Sequence, residues 1–356
     1  MQNGVLALEH AMVKSRAAEK AAAIVQEHFL KGLSPLLPSL HQEEGATLEG
    51  TRTGITDAVV SYEELLRLDM PERKQHLAWL KEGTLAMVFG PRGIGKTMLQ
   101  LGLTASLVTG TKFLAWDVAA PVGVLYVDGE MPLDELRTRT TALLTNPPIA
   151  PLHFLTSEVV YNKTQRDLTL TNVAVQGEIT AMLDAQPDIR VVILDNISSL
   201  FVGIDEDKKR AWEPISAWLV RLRHRGLSVI LVHHAGKGGN QRGTSGREDA
   251  LDVVIQLDRP SHYDAREGCH FELRFTKARS VKGDGVMPLD IQLVEEDGRV
   301  QLTCKPLEVS KEDQVIRLLE AGLTSPSDIA EELGISKGYA CKLIQKIKKE
   351  AVAVDA

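Results

Sequence analysis

The stretch Gly90-Pro-Arg-Gly-Ile-Gly-Lys-Thr97 has the pattern GxxxxGK[ST], and few residue combinations in this 356-residue chain have plainer chemistry. Glycines let the backbone curl so that successive N–H groups face one anion, and a helix that follows adds its positive N-terminal end. Lys96 supplies a point charge for the terminal phosphates, and the Thr97 hydroxyl can ligate Mg²⁺. The residues Gly90, Pro91, Arg92, Gly93, Ile94, Gly95, Lys96, Thr97 and Met98 therefore form the candidate ATP-binding segment, with ATP and Mg²⁺ as the implied cofactors. An apolar strand-like run precedes the loop and an amphipathic helix-like run follows it, which is the context the motif needs.

Three further apolar runs each stop at a polar residue. VGVLYVDGE reaches Asp128 and Glu130, IRVVILD reaches Asp195, and LSVILVHH reaches His233 and His234. In an open parallel sheet, ligands sit outside the carboxyl ends of the strands. All of these residues would then share the edge that carries the phosphate loop. A single carboxylate at a strand end would be an ordinary helix cap; three strand ends converging on a phosphate loop make a site. Asp195 suits holding Mg²⁺, directly or through water. Glu130 suits polarising the water that attacks the γ-phosphate. Asp128, on the same face of an ideal strand, is its competitor. Adjacent strand residues point to opposite faces, so the two histidines do not readily chelate one ion. One of them, His234 or His233, can face the phosphate edge and relay the loss of the γ-phosphate to the loop AGKGGNQRGTSGRED. The bland alternative is that both only fill the strand end.

The elements that must position these groups are visible in outline. Residues 1–31 predict an amphipathic N-terminal helix, packed on a neighbouring subunit or solvated. Residues 32–57 are rich in Pro, Gly and Thr and predict a linker. Residues 58–307 alternate strand-like and helix-like segments, which predicts an α/β core with a mostly parallel sheet flanked by helices. Residues 308–356 predict a small all-α module. A hydrophobic content of 44% with 25% charged residues allows a sizeable core. The net charge of −7 leaves no overall basic field, so any nucleic-acid contact must be local. Cys269, Cys304 and Cys341 show no CxxC spacing and fit a reducing compartment. No run approaches about 18 apolar residues. The Ala-rich start carries Glu9, His10, Lys14, Arg16 and Glu19, so it does not read as the apolar h-region of a secretory leader. The expectation is a cytoplasmic protein without a membrane partner.

Taken together, FGPRGIGKT, VLYVDGEMPLDELRTR, VVILDNISSL and VILVHHAGK…RGTSG resemble the RecA-type ATPase core of plasmid- and phage-encoded hexameric RepA helicases, which DnaB-type replicative helicases share. The resemblance spans about residues 60 to 285. It implies a RecA-like P-loop fold, a homo-oligomeric ring (a hexamer), and ATP held between subunits. It also implies that Glu130 is the catalytic base and His234, the second of the pair, the phosphate sensor. Lys277 and Arg279 in LRFTKARSVKGDG resemble the Lys-x-Arg pair that a neighbour supplies in trans, with Arg247 as a rival finger. Two loops would face the ring channel and hold single-stranded DNA by its backbone. One is FVGIDEDKKRAW, with Lys208, Lys209 and Arg210, edged by Phe201 and Trp212. The other carries Lys237, Arg242 and Arg247.

SPSDIAEELGISKGYACKLIQKIKKE reads as a helix–turn–helix, an addition that RepA-type cores usually lack. Ile329, Leu333, Ile335, Ala340 and Leu343 are its apolar positions, Gly334 sits in the turn and Ser336 can cap the second helix. Lys337, Lys342 and Lys346 on that helix are candidate contacts to duplex DNA, to the backbone more than to base edges. A protein-contact module of the same shape is the alternative. The leading reading is an ATP-dependent DNA helicase or translocase acting in replication. A DNA-bound ATPase switch or regulator without unwinding activity comes second, and a P-loop small-molecule kinase third.

Overall fold

The structure is a computed structural model that describes residues 54–204, 209–235, 250–260, 263–296, 299–307, 311–320 and 322–354. The chain divides into two compact units, Met1–Met70 and Pro71–Ala356. The described part of the first holds helix α1 (Tyr62–Arg67). Ser61 caps it with a hydroxyl that accepts from the Glu64 N–H, while the Glu64 carboxylate accepts from the Ser61 N–H. This reciprocal pair satisfies two end donors that the helix itself cannot.

The second unit opens with a small antiparallel pair, β1 (Gln75–Leu77) and β2 (Leu80–Lys81). The core follows as β3 (Leu85–Gly90), α2 (Lys96–Thr109), β4 (Gly123–Asp128), α3 (Leu133–Leu143), β5 (Leu152–Thr156), α4 (Ser157–Thr164), α5 (Val173–Ala185), β6 (Ile189–Asp195), α6 (Lys209–His224), β7 (Ser228–His234), β8 (Val253–Asp258), β9 (His270–Ala278), β10 (Leu289–Glu296) and β11 (Arg299–Pro306). The single helical turn Ile197–Leu200 lies directly after β6. The nine strands from β3 onward form one sheet in the order β11-β10-β9-β8-β3-β7-β6-β4-β5. The six from β8 to β5 run parallel, and β9, β10 and β11 pair antiparallel.

The central strands are apolar on both faces because both faces are covered. Along β3, Ala86 and Val88 pack with Leu99, Leu103 and Leu107 of α2 and Leu136 of α3. The alternate residues Leu85, Met87 and Phe89 pack with Ile179 of α5 and Trp218 and Leu222 of α6. This two-sided layering is the α/β arrangement expected of a RecA-like P-loop core. The three antiparallel strands are the departure from strict strand–helix alternation. Among the described residues no α-helix separates β8 from β9, β9 from β10 or β10 from β11. Parallel neighbours need a crossover of a dozen or more residues, usually a helix, and here the chain returns directly.

Trp79, Trp116 and Phe275 form an edge-to-face cluster with centroids 5.9–6.1 Å apart, and Phe113 stacks on Trp116. On the opposite face Trp212 lies 5.4 Å from Phe201, and the Trp218 indole donates to the Thr180 hydroxyl at 3.1 Å.

The last helices are α7 (Lys311–Glu320), α8 (Pro326–Leu333) and α9 (Lys337–Val354). Val315, Ile329, Ala330, Ala340, Leu343 and Ile344 form their own small core. Gly334 ends α8 at φ 60°, a left-handed conformation that glycine adopts without penalty. The Ser336 hydroxyl then accepts from the Tyr339 N–H at 3.3 Å to start α9. No helix among the described residues is long and apolar enough to cross a membrane.

Candidate active site

The loop between β3 and α2 is shaped by two close approaches. A Cβ on Gly90 would lie 2.6 Å from the Leu257 carbonyl oxygen, and one on Gly95 would lie 2.3 Å from the Cys269 sulfur. Gly95 also sits at φ 116°, where side chains are rarely tolerated. The loop therefore rests directly on β8 and the start of β9. Helix α2 begins at Lys96, so its N-terminal amides open onto the loop. The Lys96 ammonium donates to the carbonyls of Gly90 at 2.9 Å and Pro91 at 2.7 Å. Burial draws its pKa down to about 8, against the pull of Asp195 and Glu130.

Strands β3, β7, β6 and β4 are direct neighbours, and their registers bring the polar strand ends level. Gly90 pairs with His234, and Asp128 pairs with Asp195. Asp195 is buried. Its carboxylate accepts from the Tyr126 hydroxyl at 2.7 Å and bonds the Thr97 side chain. Burial raises its pKa, and those two hydrogen bonds oppose the rise. Tyr126, on the same strand as Asp128, is pushed well above its ordinary pKa by burial and by Asp195, so it stays a donor.

The two competing carboxylates separate cleanly. Asp128 is buried and its Oδ1 accepts from the backbone N–H groups of Glu130 at 3.0 Å and Met131 at 2.6 Å. Burial lifts it to about 6. It shapes the turn after β4, and Glu130, whose side chain is 66% exposed, is what that turn presents. The Asn196 amide donates to Glu130 Oε2. His234 Nε2 stands 3.9 Å from the same oxygen. His233 is 0% exposed, whereas His234 lines the cleft. Burial, with Lys96 adding to it, lowers His234 to about 4, so the imidazole is neutral at pH 7.

Gly95, Lys96, Thr97, Glu130, Asp195 and His234 thus border one open cleft of about 710 Å³. The Thr97 hydroxyl and the Asp195 carboxylate lie side by side as hard oxygen donors, a set that fits Mg²⁺. Tyr126, Asn196 and the pair Arg259–Tyr263 also belong to this site and were not anticipated. The Arg259 guanidinium donates to the Gly93 carbonyl at 2.9 Å and lies 3.9 Å over the Tyr263 ring, a flat wall beside the loop. Nothing in their spacing marks them, because 166 residues separate Arg259 from Gly93. Asn196 had a local signal, the Asn-x-x-Ser pattern that caps the turn Ile197–Leu200.

The other anticipated residues lie elsewhere. Lys277 pairs with Val254, and Arg279 N–H bonds the Asp252 carbonyl, both at the start of β8. That is the amino edge of the parallel strands, opposite the phosphate loop, so neither side chain serves the cleft of its own chain. Lys208, Lys237, Arg242 and Arg247 lie outside the described residues. Phe201 and Trp212, the two aromatic residues that edge the first loop in sequence, are buried against each other, so neither offers a free face on which a base could stack. Lys337 and Lys342 are exposed on α9, while Lys346 is engaged with Glu312 of α7 at 2.8 Å, an acidic neighbour that inspection of one helix could not reveal.

A family model described as an AAA domain matches residues 64–240. No curated protein matches the chain. Among solved structures, a KaiC-like protein from the hyperthermophilic archaeon Pyrococcus horikoshii OT3 aligns with a TM-score of 0.45 at 14% identity, over 64% of this chain and 91% of that one.

Proposed function

We propose that the AAA-type P-loop ATPase domain of this chain drives a DNA-translocating ring of the RepA helicase type, tethered to duplex DNA by its C-terminal helices. The observation that carries the reading is the convergence of Lys96, Thr97, Asp195, Glu130 and His234 on one cleft, with the strand of His234 running straight into a segment that contains Lys237, Arg242 and Arg247.

The geometry supports the following roles. The loop amides and Lys96 hold the phosphates of ATP. Thr97 and Asp195 hold Mg²⁺, which when bound offsets the charge that builds on the transferred phosphate. Glu130 stands exposed at the mouth of the cleft and orients the attacking water. His234, neutral in the free protein, hydrogen-bonds the γ-phosphate and couples its loss to the following loop. Lys277 and Arg279, on the far edge of the sheet, act on the cleft of a neighbouring copy; a finger of this kind is worth about 10³–10⁵ in rate. The resemblance to hexameric helicases supports that head-to-tail assembly. Exposed Lys337 and Lys342 support backbone contact between α9 and duplex DNA.

The test is steady-state ATP hydrolysis alone, with single-stranded DNA and with duplex, for the wild type, Lys96→Ala and His234→Ala. Stimulation by single strands that His234→Ala loses while still binding nucleotide is the expected result. Hydrolysis indifferent to single strands, with tight binding to one duplex sequence, points instead to a DNA-bound ATPase switch.

A further inference from the structure

Glu130 is the group on which hydrolysis turns, yet its side chain is largely exposed and stands beyond the end of β4. A glutamate so placed samples many rotamers unless something outside its own segment holds it. The described structure supplies a hydrogen bond from the Asn196 amide nitrogen to Glu130 Oε2, across 66 residues of chain. Asn196 is itself fixed. It is 4% exposed, and its Oδ1 accepts from the Ser199 N–H at 3.2 Å, which caps the turn Ile197–Leu200. The Ser199 hydroxyl in turn donates to the Asn196 carbonyl at 3.1 Å. The backbone of Asn196 follows Asp195 directly, so its position is tied to the strand end that carries the metal-binding carboxylate.

We infer that Asn196 is a positioning residue for hydrolysis: its amide holds one oxygen of Glu130 and leaves the other to orient water. This rests on Glu130 acting as the base in the reading above. The amide is suited to the task because it divides its two functions between two atoms. The oxygen caps the turn, and the nitrogen holds the carboxylate. An aspartate in its place keeps the oxygen and loses the donor. It also sets a further carboxylate beside Asp195 and Glu130, which repels the group that it would have to hold. A residue that served only as a helix cap would be replaced by aspartate without loss, since aspartate caps as well as asparagine does.

The experiment compares wild type, Asn196→Asp, Asn196→Ser and Glu130→Gln for steady-state ATP hydrolysis and for binding of a fluorescent ATP analogue, between about pH 8 and about pH 6. The serine hydroxyl also caps, so it provides a second variant with the turn intact. Both Asn196 variants are expected to lose about ten- to a hundredfold in kcat at the upper pH, the scale of a misplaced catalytic group, with nucleotide affinity unchanged. Wild-type hydrolysis matched by Asn196→Asp at every pH overturns the inference while leaving the ATPase reading intact. Hydrolysis undiminished in Glu130→Gln overturns the role of Glu130 itself, and the inference with it.

Discussion

Lys96 opens α2 and Lys337 opens α9, yet the two helix starts treat their lysines in opposite ways. Lys96 is buried, hydrogen-bonded to two loop carbonyls and drawn down to a pKa of about 8. Lys337 stands exposed at the end of a small three-helix core. The same contrast runs through both regions. At the carboxyl edge of the sheet, Asp128 and Asp195 are buried and held by named donors. On α9, Lys337 and Lys342 face solvent. Burial makes each charge at the sheet edge specific in role and costly to replace, whereas exposed lysines act through a shared, screened field in which each contributes a little.

The largest expected effect lies at the sheet edge. Glu130→Gln should lower kcat for ATP by about 10²–10⁴-fold, the range for losing a general base, with nucleotide binding retained. An unchanged rate would place the base elsewhere.

Two residues away the effect should be far smaller. Asp128→Asn keeps an oxygen that accepts from the Glu130 and Met131 N–H groups, so it should hold kcat within about tenfold of wild type. The pH dependence follows from the sign of the shift. Burial raises Asp128 to about 6, so its charged, stronger acceptor is present above that pH and lost as pH falls through it. The wild-type rate should therefore carry an acid limb near pH 6 that Asp128→Asn lacks. A loss as deep as that of Glu130→Gln would reverse the roles given to the two carboxylates.

The smallest effects belong to the module. Lys337→Ala and Lys342→Ala should each weaken duplex binding across sequences and reduce the slope of log K against log salt by about 0.9. Lys346→Ala should do less, because Glu312 already engages that ammonium. A salt slope unaltered by any of the three would turn the module toward a protein partner.

The sequence disclosed the parts of the site that are written locally. Lys96 and Thr97 follow from one strand–loop–helix pattern, and Asp195 and His234 from apolar runs that stop at a polar residue. What it concealed depends on distant segments meeting. Tyr126 reaches Asp195 across 69 residues, and Arg259 closes on Gly93 only once β8 has been placed beside β3. The separation of Asp128 from Glu130 was hidden for another reason. On an ideal strand they share a face, but β4 ends at Asp128 and the chain turns before Glu130. The antiparallel turn of β9, β10 and β11 was equally silent, since an apolar run carries no mark of the direction in which it pairs.

The four tryptophans, Trp79, Trp116, Trp212 and Trp218, are all buried, two on each side of the large sheet, and the C-terminal helices contain none. Intrinsic tryptophan emission is thus an optical gauge of the large sheet and its flanking helices alone. Far-ultraviolet circular dichroism registers the helices of both regions. A melt followed by the two signals together separates the loosening of α7, α8 and α9 from the collapse of the sheet, with no label attached to the chain.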